Sequence, residues 1–250
     1  MIYTTMATQL VAQAFPAQNT IEFNPARAGT NGTLIAVILD ESGSMQSCWD
    51  ATITGYNEFV AGQASTQGAG EAYLTLVKFD SPRVSTVYEN VHVREVAPLT
   101  RATYTPNGGT NLMDAVGYTL NRINTFLNSL AAQERPGVLI QIITDGEENA
   151  SRNYHGETIR AMVRRAETEG DWTFQFLGAN VDAFAMGASL GMNAANSAAY
   201  NTASMAATMD VIMENTRAVR SAKVKGVSTA DLYASGVFYS DVDRARMKGE

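Results

Sequence analysis

The sequence predicts a doubly wound α/β fold: a mostly parallel sheet with one antiparallel edge strand and helices on both faces. Three observations carry this. The runs TLIAVILD (33–40), AYLTLVKFD (72–80) and VLIQIITD (138–145) are of strand length and apolar almost throughout. Strands covered on both faces read this way. Segments with helical apolar spacing separate them. Strand and helix alternate from 33 to 223, and crossovers between parallel strands are right-handed.

The elements follow in order. Residues 1–30 are expected to be an N-terminal extension, with a short helix in IYTTMATQLVAQAF and then a turn-rich linker. Residues 31–225 form the domain and 226–250 a tail without a strong period. After the strand at 33–40, Trp49, Ile53, Tyr56, Phe59 and Val60 recur at helical spacing, which predicts a helix from 49 to about 65. The strand at 72–80 turns at Ser81-Pro82 into RVSTVYENV (83–91), a hairpin partner and antiparallel edge strand. Leu112, Ala115, Val116, Leu120, Ile123 and Leu127 share one face of a long helix over 111–133, broken by Pro136-Gly137. After the strand at 138–145 comes a helix at 156–169, with Gly170 as its stop. A strand (171–180), a short helix (181–190), a weak strand (197–200) and a last helix (203–223) complete the domain. The methionines of that last helix, Met205, Met209 and Met213, read as core or interface filler. Its surface is a candidate protein contact.

The chain has 250 residues, 45% of them hydrophobic and 17% charged, enough apolar material for a real core. The net charge of −7 argues against a nucleic-acid partner, which wants a basic face. The single cysteine, Cys48, supports no intramolecular disulfide framework and no Cys zinc cluster, and suits a reduced, cytoplasmic protein. No apolar run has the length of a membrane helix, so no membrane partner is expected.

Ligand sites in doubly wound sheets lie outside the carboxyl ends of the strands, where strand order reverses. Asp40 and Asp145 end two strands at that edge. Ser42 and Ser44 follow Asp40 at alternate positions, and Thr110 lies in TPNGGTN just before the longest helix. All five are oxygen donors, with no imidazole or thiol among them. Such donors suit Mg2+, with Mn2+ and Ca2+ as alternatives. The competing roles are ordinary: Thr110 or Asn111 as a helix cap, Glu147 and Glu148 as solvated loop charges, Asp114 as an acid at a helix N-terminus.

DESGSM (40–45), Thr110 in GGTN and TDGEEN (144–149) together resemble the metal-ion-dependent adhesion site of von Willebrand factor type A domains. The resemblance covers roughly 33–223 and implies a Rossmann-like fold. It implies that Ser42, Ser44 and Thr110 bind a divalent cation directly, and that Asp40 and Asp145 bind through water or exchange into the shell. An Asp or Glu of a protein partner would complete coordination. The segment 174–192 is similar to stand-alone type A proteins of bacteria and phages. An ATPase, chelatase-type or phage assembly complex is then a candidate partner, with virion association if the chain is phage-encoded.

Two other functions compete with this one. A structural or assembly component would show no metal dependence. A metal-dependent hydrolase would need Glu147, Glu148 or Asp145 as general base. The sequence has no phosphate-binding Gly-Lys-Ser/Thr loop, and neither of its histidines, His92 and His155, is well placed to serve a hydrolytic serine, so no enzyme activity is expected.

Overall fold

The computed structural model describes residues 32–179, 182–236 and 238–250. The expected helix and linker within 1–30 lie outside the described residues. Six strands form one sheet: β1 (Thr33–Asp40), β2 (Ala72–Asp80), β3 (Arg83–His92), β4 (Gly137–Thr144), β5 (Thr173–Gly178) and β6 (Ser197–Ala199). Their spatial order is β3-β2-β1-β4-β5-β6. Every pairing is parallel except β2 with β3, which is antiparallel at the edge. Every residue of β1 and of β2 is buried, as their continuous apolar runs require.

The helices are α1 (Trp49–Ser65), α2 (Leu112–Asn128), α3 (Gly156–Gly170), α4 (Ala183–Ser189) and α5 (Met205–Val224), then α6 (Thr229–Ser235) and α7 (Asp241–Lys248). Alternation along β1 divides the core. Leu34, Ala36 and Ile38 pack with Leu112, Val116 and Ile123 of α2 and with Ile159 and Val163 of α3. Ile35, Val37 and Leu39 pack with Tyr56 and Phe59 of α1 and with Met205, Met209 and Ile212 of α5. The sheet is thus covered on both faces.

Several expectations need correction. The long helix ends at Asn128, not 133. Leu127 is its last buried residue, and the Ser129 hydroxyl donates to Phe126 O at 2.6 Å, so nothing apolar draws the helix on. The stop of α3 is Asp171, which adopts the left-handed conformation (φ 54°), while Gly170 is still helical. Asp171 is held there by Lys223 Nζ and by the Thr229 amide.

The methionines of α5 are core filler, as expected, and so do not add to a protein contact on its surface. Met205 and Met209 are buried and Met213 packs against the same core. A Cβ at Gly55 would lie 2.4 Å from Met209 Cγ, and one at Gly62 would lie 2.2 Å from Met213 Sδ. The two helices therefore touch closely where α1 lacks side chains. The stretch after 226, expected as a tail, forms two helices. Ser228 caps α6, and Ser240 with Asp243 forms a capping box on α7. Leu232, Phe238, Tyr239 and Met247 are buried, so both helices dock on the domain.

Candidate metal centre

The register places two acids side by side. Leu39 pairs with Ile143 across β1 and β4, so Asp40 and Asp145 emerge from adjacent strand ends. The chain runs outward from β1 to β2 in one direction and from β1 to β4 in the other. This is the switch point where crevices open in such sheets.

Asp40 is buried and fully engaged. Its Oδ1 accepts from the Ser42 amide at 2.7 Å, and its Oδ2 accepts from the Thr144 hydroxyl at 2.5 Å. Burial pushes its pKa up to about 6, against the opposing effect of those hydrogen bonds. The Ser44 hydroxyl donates to Asp145 Oδ1 at 2.5 Å, so across their 3.1 Å separation the Ser42 hydroxyl donates to Ser44. Burial also raises Asp145. Its second oxygen, Oδ2, is buried and accepts nothing. A buried carboxylate oxygen without a donor is costly. Two neighbouring acids held above their usual range mark a place where added positive charge is favourable.

Thr110 is delivered by a loop with no regular structure. Gly108 adopts φ 69°, and a Cβ there would lie 2.5 Å from Ser81 O, so glycine is needed. Gly108 O accepts from the Gly43 amide at 3.0 Å, and the Asn107 amide donates to Glu41 O at 2.8 Å. These bonds lace the Thr110 loop to the serine loop. The Thr110 amide donates to Asn149 Oδ1 at 3.0 Å, and Thr110 O accepts from the Asn149 and Ala150 amides. Among the described residues no hydrogen bond takes up the Thr110 hydroxyl. A Cβ at Gly146 would lie 2.8 Å from that hydroxyl oxygen and 3.5 Å from Ser44 Oγ. The bare glycine leaves this space open between the two hydroxyls.

The structure therefore brings all five sequence-predicted residues to one end of the sheet. The competing roles sort cleanly. Asn111 precedes α2 without a side-chain cap. The caps come instead from the segment after β4: Glu148 Oε2 accepts from the Met113 amide at 2.8 Å, and Ser151 Oγ accepts from the Asp114 amide at 3.0 Å. Glu147 is exposed, as expected of a solvated charge. Glu148 and Asp114 do more than expected. Asp114 is buried and accepts from the Arg152, Asn153 and Tyr154 amides at 2.8–2.9 Å, which staples the segment carrying Asn149 to α2.

Sequence reading missed one further support. Glu41 and Lys78 form a buried ion pair at 2.7 Å. Glu41 Oε1 also accepts from the Thr105 amide at 2.6 Å, and Lys78 Nζ donates to Thr103 O at 2.5 Å. The pair fastens the 103–110 loop against β1 and β2. Tyr104 adds a hydroxyl bond to Asp40 O at 2.6 Å. The signal was present: Lys78 is the one cation in an otherwise buried apolar strand, and such a cation demands an acid.

No family model matches the chain, and no curated protein matches it. Solved structures do. Proximal thread matrix protein 1 from the mussel byssus superposes with a TM-score of 0.51 at 15% identity, over 74% of this chain and 48% of that one. A structure of the same mussel protein with a zinc-occupied MIDAS motif (the adhesion-site motif named above) gives 0.51 at 14% identity, over the same shares. The fold is that of a von Willebrand factor type A domain. A von Willebrand factor type A protein from Catenulispora acidiphila also aligns, at 15% identity and TM-score 0.46, over 77% of this chain and 43% of that one. This chain spans about half the length of these proteins. At such identities the likeness is one of fold, and the type A site must be judged on its own residues.

Those residues fit a small hard cation. Among the described residues no three His, Cys, Asp or Glu side chains converge, so a cation here would depend on hydroxyls beside two carboxylates. Ser42, Ser44 and Thr110 present those hydroxyls, and Asp145 Oδ2 is the orphaned acceptor. An all-oxygen set of this kind favours Mg2+, Mn2+ or Ca2+ over softer metals.

Proposed function

We propose that this chain is a metal-dependent protein-binding module. A divalent cation, Mg2+ in the first place, would be held by Ser42, Ser44 and Thr110, with Asp40 and Asp145 supplying the compensating charge. The cation would offer a Lewis-acidic position to a carboxylate of a protein partner. One observation carries the reading: Asp145 Oδ2 is buried without a donor beside hydroxyls that stand on either side of an open space at Gly146. A structure of the mussel protein, of similar fold, has a zinc-occupied MIDAS motif, which supports reading this fold as one able to hold a divalent ion.

The chain's own residues do the preparatory work. Thr144 and the Ser42 amide orient Asp40. The Glu41–Lys78 pair fixes the Thr110 loop, and Asn149 fixes Thr110 itself. A catalytic role is not part of the proposal. Glu148, a candidate general base, is spent on the Met113, Ala150 and Ser151 amides and on the Ser151 hydroxyl. Glu147 is exposed and engages nothing at the site.

The test is calorimetric titration of Mg2+, Mn2+ and Ca2+ into chelator-treated protein, beside Asp40→Ala. Saturable binding in the native chain and none in the variant is expected. No binding at millimolar metal in the native chain would sink the reading and leave a structural role for the fold.

A further inference from the structure

The amino-terminal edge of the strands, opposite the metal centre, carries a concentration of positive charge that the metal reading does not use. The last carbonyls of α1 face three arginines. Arg217 Nη2 donates to Gly62 O at 3.2 Å, Arg220 Nη1 to Gln63 O at 3.2 Å, and Arg94 Nε to Ala64 O at 3.5 Å. A helix C-terminus attracts cations, but it carries only about half a negative charge. It accounts for the direction of the arginines and not for three of them.

Beside them opens a cleft of about 290 Å3, walled by Gly68, Gly70, Glu71, His92, Arg94 and Arg220. Glu71 is the only acid among the described residues that line it. It is half exposed and already lies 2.7 Å from His92 Nε2. Arg220 is 1% exposed. Its acceptors are all neutral: Gln63 O, Gln63 Oε1 at 2.8 Å and Gly70 O at 2.8 Å. Its Nε is buried with no acceptor. Burial lowers its pKa to about 10, with the charge of Glu71 opposing the fall and that of Arg217 adding to it, which still leaves it a cation at neutral pH. Glu71 is thus one acid shared among Arg94, Arg220 and His92. Buried charges are ordinarily paired with opposite charge. The loop at the rim is also unspent. The amides of residues 67–70 donate no hydrogen bond among the described residues. Gly68 and Gly70 hold left-handed conformations there (φ 73° and 66°).

We infer that this cleft is a binding site for a small oxyanion of the phosphate kind, held between the Arg94 guanidinium and the amides of the 67–70 loop. Arg220 supplies charge from behind the wall rather than a direct contact. Oriented amides together with guanidinium are a recurrent phosphate-binding combination. The whole chain carries −7, so the attraction is local and not a property of the overall field. The site is separate from the metal centre and does not depend on it.

The experiment uses the full chain, metal-free and isotope-labelled. Inorganic phosphate replaces chloride at constant ionic strength and neutral pH, while the amide resonances of 67–71 and the melting temperature are followed. Saturable shifts confined to this loop and the end of β3 are expected, with a melting temperature that rises with phosphate. Arg94 is exposed, so Arg94→Ala should leave the melting temperature in chloride unchanged and weaken phosphate binding about tenfold. Asp40→Ala should bind phosphate as the native chain does. Absent shifts, shifts that fail to saturate, or saturable shifts with the same affinity in Arg94→Ala would each overturn the inference.

Discussion

Asp40→Asn in the metal-free protein separates the charge of the centre from its shape. The Asn carbonyl can accept from the Ser42 amide as Asp40 does. Its amide can donate to Thr144 Oγ1, whose proton then turns to Gly146 O at 3.2 Å. The hydrogen bonds survive and the charge goes. Asp40 rises from 3.8 to about 6 on folding. Those two units or so correspond to about 3 kcal/mol. The sign follows from linkage. Between the two pKa values the folded protein holds a proton that the unfolded chain has released. Native stability therefore falls as pH rises through that window, and the whole penalty is present above pH 6. At pH 8 in chelator, Asp40→Asn should be more stable than the native protein by up to about 3 kcal/mol, roughly 6–12 °C for a chain of this size. At pH 4.5 most of that advantage should be gone. Saturating Mg2+ should raise the native melting temperature and leave the variant where it was. Thermal melts at both pH values, with chelator and with Mg2+, read all of this. An advantage of equal size at pH 4.5 and pH 8 would refute the assignment of a buried, ionised Asp40. Equal stabilisation of both proteins by Mg2+ would refute its part in holding the ion.

Two further substitutions probe the frame around the centre. Gly146→Ala would put a methyl group 2.8 Å from Thr110 Oγ1 and 3.5 Å from Ser44 Oγ. Metal affinity by calorimetry should fall at least about tenfold, equivalent to about 1.4 kcal/mol, with little change in the metal-free melt; undiminished affinity would mean the ion does not sit in that space. Asp114→Ala strips the Arg152, Asn153 and Tyr154 amides of their acceptor and should cost about 2–4 kcal/mol. Hydrogen exchange should speed up over 149–155 first, and a uniform change across the domain would argue against a local staple.

The amino-acid sequence by itself determined the layered sheet and singled out five oxygen-bearing side chains that the structure brings to one end of it. β1, β2 and β4 were legible because burial on both faces forces an unbroken apolar run. α1 was legible at both ends because its apolar spacing begins at Trp49 and stops before the polar turn after Ser65. Asp40 and Asp145 were legible because an acid at the end of such a run has few structural uses. The sequence also held signals that apolar periodicity passes over. Ser228-x-x-Asp231 and Ser240-x-x-Asp243 start α6 and α7. These helices are short, so caps rather than a hydrophobic stripe announce them.

Tertiary structure alone decided which polar groups meet. Glu41 finds Lys78, Asp114 finds the 152–154 amides, and Glu148, not Asn111, caps α2. It also decided that the methionines of α5 face Gly55 and Gly62 and not solvent, and that Arg220 is buried beside a cleft. The physical reason is common to all of them. Apolar burial imposes a local period on the chain, which one sequence displays. A hydrogen bond or ion pair requires only that two groups arrive at the same point, and nothing in the residues between them records the meeting.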